Sequence, residues 1–112
     1  MPETAVNDLT QLESAIEELP GVLAYFTGPY CNVCKIIKPK ILELLETRFP
    51  ALAFYTVDCD ALPQAASRYG VLSIPTVIAY FDGKETTRLV RNFSIGELSQ
   101  AISRPYKFLF AE

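Results

Sequence analysis

The first half of the chain alternates between apolar residues at helical spacing and short runs that are apolar throughout. Helical spacing predicts a first helix, opened by Asn7 or Asp8 and closed by Pro20-Gly21. The runs 22–26 and 51–57 have the length of strands, and the first is apolar enough to be buried on both faces. Strands that alternate with helices over short links predict a parallel sheet.

A long second helix is predicted between these two strands, from about Cys31 to Phe49. Pro39 lies inside it, and because proline removes a backbone hydrogen bond, we expect a kink there. Residues 4–6 are a candidate edge strand. A short helix is predicted over 62–69, opened by a proline and stopped by a glycine.

The second half of the chain predicts a hairpin. Residues 75–81 and 85–90 have strand composition, and Asp82-Gly83 between them favours the left-handed turn that joins antiparallel strands. The sheet is therefore expected to be mixed. The predicted class is α/β, with a central sheet of four to five strands flanked by about four helices.

A last helix is predicted from a capping box, in which Glu97 follows Ser94 by three residues. Arg104-Pro105 is expected to end it. The aromatic tail 106–112 is then expected to dock on the domain or, as the alternative, to offer a strand to a partner.

Composition limits the function more than the fold. The 112 residues, half of them apolar, are expected to form a single domain over 1–112. A net charge of −3 provides no basic surface for phosphate backbones, so we expect no nucleic-acid partner. Without a signal sequence or a long apolar stretch, the chain is expected to be soluble and cytoplasmic, with no membrane partner. A monomer is expected, with a dimer as the alternative.

The candidate chemistry lies in the stretch Gly28–Lys35, which follows the first apolar run. It places Cys31 and Cys34 three positions apart at the predicted start of a helix. Unpaired backbone N–H groups and the helix dipole stabilise a thiolate there, so Cys31 is a candidate nucleophile. Cys34, one turn further along, is close enough to form a disulfide with Cys31 and to displace a substrate bound to it.

A buried structural pair and a zinc site are the alternatives for these two cysteines. A closed zinc site needs four ligands, whereas the sequence offers one CxxC, a distant Cys59 and no histidine, so only a dimer would complete one. Dithiol chemistry requires no bound cofactor or metal. Cys59 itself is expected to be a half-buried small residue, with a regulatory thiol as the alternative, because Asp58 and Asp60 disfavour its thiolate.

The order of these features resembles the thioredoxin family from about residue 8 to residue 102. The resemblance rests on Cys31-x-x-Cys34-Lys35 with Pro39, on Tyr69-Gly70-Val71 leading to Ser73–Thr76, and on Asp82-Gly83. It implies a thioredoxin fold and a thiol–disulfide oxidoreductase in cell redox homeostasis. The implied partners are protein disulfides and an external reductase or oxidant.

The resemblance also implies a substrate-binding groove. Pro75 is expected to be a cis-proline against the CxxC, and Ile74 to offer backbone groups that pair with a substrate in strand fashion. Tyr30, where the family has tryptophan, is a candidate contact for partner chains, with packing over the loop as the alternative. Arg91 stands where a glycine usually lines the groove.

Other positions depart from the family's pattern. Tyr25 replaces a buried aspartate and Phe54 its accompanying lysine, while Thr27 replaces a second tryptophan and Asn32-Val33 the usual Gly-Pro. Without the carboxylate, proton transfer to Cys34 must use water or another group, so slower exchange and a more acidic Cys31 are expected. These departures favour an alternative function, a redox-linked co-chaperone or adaptor with weak or no general reductase activity.

Overall fold

In the computed structural model, which describes residues 2–110, five strands form one mixed sheet that four helices cover. In chain order the elements are β1 (Thr4–Ala5), α1 (Leu9–Glu18), β2 (Gly21–Thr27), α2 (Asn32–Arg48), β3 (Ala53–Asp58), α3 (Pro63–Tyr69), β4 (Thr76–Phe81), β5 (Lys84–Val90) and α4 (Ile95–Phe110). The strand order is β1-β3-β2-β4-β5, with β1, β3 and β2 parallel and β4 and β5 antiparallel to their neighbours. The predicted α/β class and mixed sheet are confirmed.

The central strand β2 is apolar throughout because helices cover both of its faces. Successive side chains of a strand point to opposite faces. Leu23 and Tyr25 accordingly pack with α2 and α4, while Val22, Ala24 and Phe26 pack with α1 and α3. The sheet thus separates two apolar cores, and β2 contributes to both.

Local sequence signals set several of the element ends as predicted. The Asp8 side chain caps α1 by accepting a hydrogen bond from the Gln11 N–H at 3.0 Å. Ser94 and Glu97 exchange the two hydrogen bonds of a capping box, at 2.9 and 3.0 Å. The hairpin turn has φ of 55° at Asp82 and 77° at its following glycine, the left-handed geometry expected there.

The helix α4 does not end at Arg104-Pro105, so that prediction is wrong. It continues to Phe110 because Tyr106 is buried, with its ring 5.1 Å from Phe49 and 4.7 Å from Phe110 between centroids. The Tyr106 hydroxyl also accepts a hydrogen bond from the Ala51 N–H at 3.0 Å. These contacts offset the hydrogen bond that proline cannot donate. The tail docks as a helix up to residue 110, and the last two residues of the predicted tail lie outside the described residues.

The third strand also begins later than predicted, at Ala53 rather than at residue 51. Residues 50–52 instead form a turn, in which the Leu52 N–H donates to the Phe49 carbonyl at 3.1 Å. The kink expected at Pro39, which lies inside α2, stays a prediction.

One end of the sheet gathers four strand ends, which we call the rim. The pairs Thr27 with Asp58, Phe26 with Thr76, and Thr76 with Val90 show that β2, β3 and β5 finish where β4 begins. The segments that follow or precede these ends carry most of the candidate site residues.

Candidate active site

The two cysteines of the CxxC form a disulfide at the start of α2. Cys31 is the N-cap residue of the helix, and the Cys34 N–H donates a hydrogen bond to the Cys31 Sγ at 3.2 Å. The two Cα atoms are 5.2 Å apart. Cys31 is partly exposed, whereas Cys34 is only 2% exposed. An incoming sulfur can therefore reach Cys31 far more readily than Cys34.

A groove of about 410 Å³ opens beside Cys31 at the rim. Its lining comes from the loop after β2, the residues after β3 and the segment before β4: Gly28, Pro29, Tyr30, Cys31, Cys59, Asp60 and Ile74. Tyr30 is 90% exposed, so it does not pack over the loop. The structure thus brings Tyr30 and Ile74 to the same groove as Cys31. A cavity of similar volume beside Phe49 and Tyr106 holds no cysteine.

The segment before β4 is held close to the CxxC loop. The Ile74–Pro75 peptide bond is cis, and Pro75 is buried. A Cβ at Gly28 would lie 2.9 Å from the Ile74 Cδ1, so a larger residue there would require the end of the Ile74 side chain to move. This close approach favours a glycine at position 28.

Arg91 lies beside the proline through its backbone. Its N–H donates a hydrogen bond to the Pro75 carbonyl at 2.7 Å, and its φ is 60°. That left-handed conformation favours glycine and costs other residues about 1 kcal/mol or more. The side chain is exposed. Position 91 therefore has the geometry of the glycine that the resemblance implies, but it carries a charged side chain.

Cys59 also lines the groove, a position that its sequence context did not predict. Its N–H donates to the Thr27 carbonyl at 2.9 Å, extending the parallel pairing of β3 with β2 past the strand ends. Burial, followed by the charge of Asp58, raises the pKa of the Cys59 thiol. The register of β2 against β3 is the signal that brings this third sulfur beside the CxxC loop. Cys59 is half-buried, as predicted.

Tyr25 fills the space behind the dithiol. Its buried hydroxyl donates a hydrogen bond to the Cys34 carbonyl at 2.7 Å, and its ring centroid lies 5.9 Å from that of Phe54. Burial raises the pKa of Tyr25 well above its ordinary value, so the hydroxyl stays neutral at physiological pH. The sequence indicated that a carboxylate is replaced here, but it did not reveal this hydrogen bond.

Two other site types find no support in residues 2–110. No group of three or more His, Cys, Asp or Glu side chains in that range is placed to hold a metal ion. None of its helices is long and apolar enough to cross a membrane.

Comparisons with known proteins agree with the fold and the cysteine pair. The sequence profile of the thioredoxin family matches residues 3–104. A thioredoxin of Chlamydia muridarum is 42% identical over 69 residues, which cover 62% of this chain and 67% of that protein. The thioredoxin-like protein YdfQ of Bacillus subtilis is 26% identical over 97% of this chain and 96% of its own length.

Solved structures show the same fold. A thioredoxin from Trypanosoma brucei brucei superposes with a TM-score of 0.83 at 26% identity, over 91% of this chain and 88% of that one. A mutant thioredoxin from Halobacterium salinarum superposes with a TM-score of 0.80 at 27% identity, over 90% and 88% of the two chains. The five-stranded mixed sheet with four helices is thus a thioredoxin fold.

Proposed function

Because this chain belongs to the thioredoxin family of thiol–disulfide oxidoreductases, we propose that it exchanges disulfides with protein substrates through Cys31 and Cys34. The observation that carries the proposal is the unequal exposure of the two sulfurs at the start of α2. Cys31 is open to a substrate and receives a backbone hydrogen bond, while Cys34 lies buried directly behind it.

In the reduced protein, Cys31 is the nucleophile. The Cys34 N–H and the start of α2 lower the free energy of its thiolate relative to its thiol. The thiolate attacks one sulfur of a substrate disulfide, a mixed disulfide forms, and the other substrate sulfur leaves as a thiolate. Cys34, as thiolate, then attacks the Cys31 sulfur and releases the second substrate thiolate. Two electrons pass to the substrate, and an external dithiol reductase restores the reduced pair.

The groove positions the substrate chain for this attack. Ile74, next to the cis-proline Pro75, offers backbone groups to an extended segment, and β-strand pairing of this kind supplies affinity without a fixed sequence. Tyr30 provides an exposed apolar contact in the same groove. Arg91, whose backbone is bonded to Pro75, provides a charge at the edge.

Tyr25 supports a second candidate function. Its neutral hydroxyl is engaged with the Cys34 carbonyl and offers no base to the resolving thiol, so water must carry that proton. Slow resolution favours a redox-linked binding module, such as a co-chaperone or adaptor, that holds protein chains in the same groove.

Reduction of insulin by dithiothreitol, followed as turbidity, separates the two functions. We expect the wild-type protein to accelerate precipitation and Cys31→Ser to give the uncatalysed rate, since no other accessible sulfur stands at the helix start. The matched control is Cys59→Ser, which retains the dithiol and is expected to remain active. A wild-type rate equal to background would reject the general reductase and leave the binding module.

Trapping tests substrate turnover directly. In Cys34→Ser the mixed disulfide at Cys31 cannot be resolved, so partner proteins should accumulate as adducts released by dithiothreitol. The double variant Cys31→Ser/Cys34→Ser is the control and should capture none. Equal recovery from both variants would show that capture does not use Cys31.

The remaining features of the proposal concern the molecule's setting. We place the protein in the cytoplasm, because a single CxxC with one further cysteine is typical of a reducing compartment. We propose that residues 1–112 form one thioredoxin-like domain that acts as a monomer, without nucleic-acid or membrane partners. One continuous sheet over residues 2–110 supports the single domain.

A further inference from the structure

Opposite charges flank the dithiol along the rim. Across the sheet, Asp60 follows β3, Cys31 follows β2, Pro75 precedes β4 and Arg91 follows β5. These strands are consecutive neighbours in the sheet, and neighbouring strands lie about 4.8 Å apart. In strand order, the rim therefore carries an acid, a sulfur, a proline and a base, and the outer strands of this series, β3 and β5, are roughly 14 Å apart.

The backbone of Arg91, the positive residue of this series, is fixed in place, but the charge of its side chain is not neutralised. The hydrogen bond from the Arg91 N–H to the Pro75 carbonyl ties its backbone to the groove. The side chain is exposed, and within residues 2–110 its guanidinium has no hydrogen-bond or ion-pair partner. Among the described residues the charge of Arg91 is therefore unpaired, and it is available to a chain bound beside Pro75.

The negative end is ordered in a similar way. The Asp60 N–H donates a hydrogen bond to the Asp58 carboxylate at 2.8 Å, which fixes the loop after β3. Asp60 lines the groove and is exposed, and its own carboxylate has no cationic partner in the described part of the chain.

Exposed apolar side chains precede both Cys31 and the cis-proline. Tyr30 is 90% exposed, and Leu72, in the segment leading to the cis-proline, is 97% exposed. Tyr30 lines the groove, so a chain bound there contacts apolar surface beside Cys31. The surface thus has an apolar centre between one free cation and one free anion.

We propose that the groove selects protein disulfides in which the reactive cysteine lies in an extended apolar segment with an acidic residue on the Arg91 side. An acidic residue on the Asp60 side is disfavoured by like-charge repulsion. In an extended chain, side chains two positions from the cysteine lie on the same face as the cysteine and about 7 Å from it, so acidic residues at these positions are the ones discriminated. The selection rests on the proposed function, because it acts on the substrates of Cys31.

Reduction rates of short disulfide-linked fluorogenic peptides test the selection. A parent peptide carries Gln two residues before and two residues after its reactive cysteine, and four variants carry Glu or Lys at one of these positions. Because opposite surface charges attract only modestly, we expect one Glu variant to be reduced about threefold faster than the parent and the matching Lys variant more slowly. The differences between these reduction rates should disappear in 0.5 M salt, where the Debye length is only about 4 Å.

Variants of the protein test which of its residues cause the preference among charged peptides. Arg91→Gly fits the left-handed backbone and should abolish the preference, while Arg91→Glu should reverse it. The matched control is Arg104→Gln, which removes the same charge roughly two and a half turns into α4 and should retain the preference. Asp60→Lys should make the opposite position favour Glu. Equal rates for all five peptides, or a preference that survives Arg91→Gly, would overturn the proposal.

A binding measurement separates the selection of peptides from the reduction of their disulfides. Serine versions of the five peptides are titrated against the oxidised protein and its Arg91→Gly variant by calorimetry. If the parent disulfide is not reduced, yet one Glu peptide binds the wild type about threefold more tightly than the parent and the matching Lys peptide binds more weakly, the reductase fails and the selection stands. Equal affinities for Glu and Lys peptides would reject the selection whatever the rates.

Discussion

At the scale of single residues, two cysteines share one groove but experience opposite electrostatics. Cys31 caps a helix and accepts a hydrogen bond from a backbone N–H, which favours its thiolate. Cys59 is half-buried beside the Asp58 carboxylate, and both burial and that charge raise the pKa of its thiol. We therefore expect Cys31, and not Cys59, to react readily near neutral pH once the disulfide is reduced.

Alkylation of the reduced protein by iodoacetamide should reveal this difference. At pH 7, we expect Cys31 to react at least about ten times faster than Cys59, because only the thiolate reacts. Since the pKa of Cys59 is raised, its thiolate fraction is small at pH 7, and its rate should rise about tenfold per pH unit until the pH reaches that pKa. Mass spectrometry of quenched digests measures both rates.

Asp58→Asn is the informative variant for this difference. It removes the charge, and the asparagine oxygen can keep the hydrogen bonds from the N–H groups of Asp60 and Ala61. The rate of Cys59 should increase a few-fold. Asp82→Asn, in the hairpin turn at the other end of β4, is the matched control and should change nothing. Equal alkylation of Cys31 and Cys59 in the wild type would contradict the assignment.

The sequence was sufficient to predict that the two cysteines of the CxxC pair with each other, but not which side chains surround them. Cys31 and Cys34 are three residues apart, so helix geometry alone relates them. Tyr25 reaches the Cys34 carbonyl across nine residues, and Cys59 reaches the groove through the pairing of β3 with β2. Contacts of this kind depend on strand register and side-chain packing, which the local pattern does not encode.

At the scale of elements, α4 shows packing overriding a local stop signal. Pro105 lacks the N–H of a helix interior and was expected to end the helix. Tyr106 and Phe110 lie four positions apart, which places them on one helix face, and the Tyr106 ring contacts both Phe110 and Phe49. The spacing of these aromatics is present in the sequence, but their combined burial, which outweighs the effect of the proline, follows only from the fold.

Truncation of the buried aromatic face of α4 should destabilise the protein. We expect Tyr106→Ala to lower the free energy of unfolding by about 3–4 kcal/mol, since it removes a buried ring and the acceptor of the Ala51 N–H. Phe108→Ala, two residues away at 89% exposure, is the matched control and should change stability by less than about 0.5 kcal/mol. Urea denaturation followed by circular dichroism measures both. Similar losses would mean that the last turns of α4 do not pack as described.

At the scale of the whole molecule, the sheet holds a buried tyrosine in each of its two cores. Tyr25 lies in the core with α2 and α4, and Tyr80 in the core with α1 and α3. Burial raises the pKa of both hydroxyls above the ordinary value near 10. The folded protein therefore retains these two protons at alkaline pH, where the unfolded chain releases them.

Alkaline pH should therefore unfold the protein steeply. The stabilising contribution of a raised pKa is fully present below the unfolded value and is lost as the pH rises above about 10. Two retained protons give a slope of about 2.7 kcal/mol per pH unit from these groups. Urea denaturation between pH 9 and 11.5 measures it. Tyr25→Phe and Tyr80→Phe should each remove about half of that slope, and Tyr30→Phe, at an exposed position, should remove none. An unchanged slope in the first two variants would refute the explanation.

The hairpin turn at Asp82-Gly83 lies one full strand away from the rim that carries the CxxC. β4 begins at the rim and runs for residues 76–81, so about 20 Å separates its turn from the proline end. The Asp82 N–H is bonded to the Pro20 carbonyl, which ties the turn to the end of α1 rather than to the groove. An immobilisation tag or fluorescent reporter attached through the exposed Lys84 would leave the groove open to large protein partners.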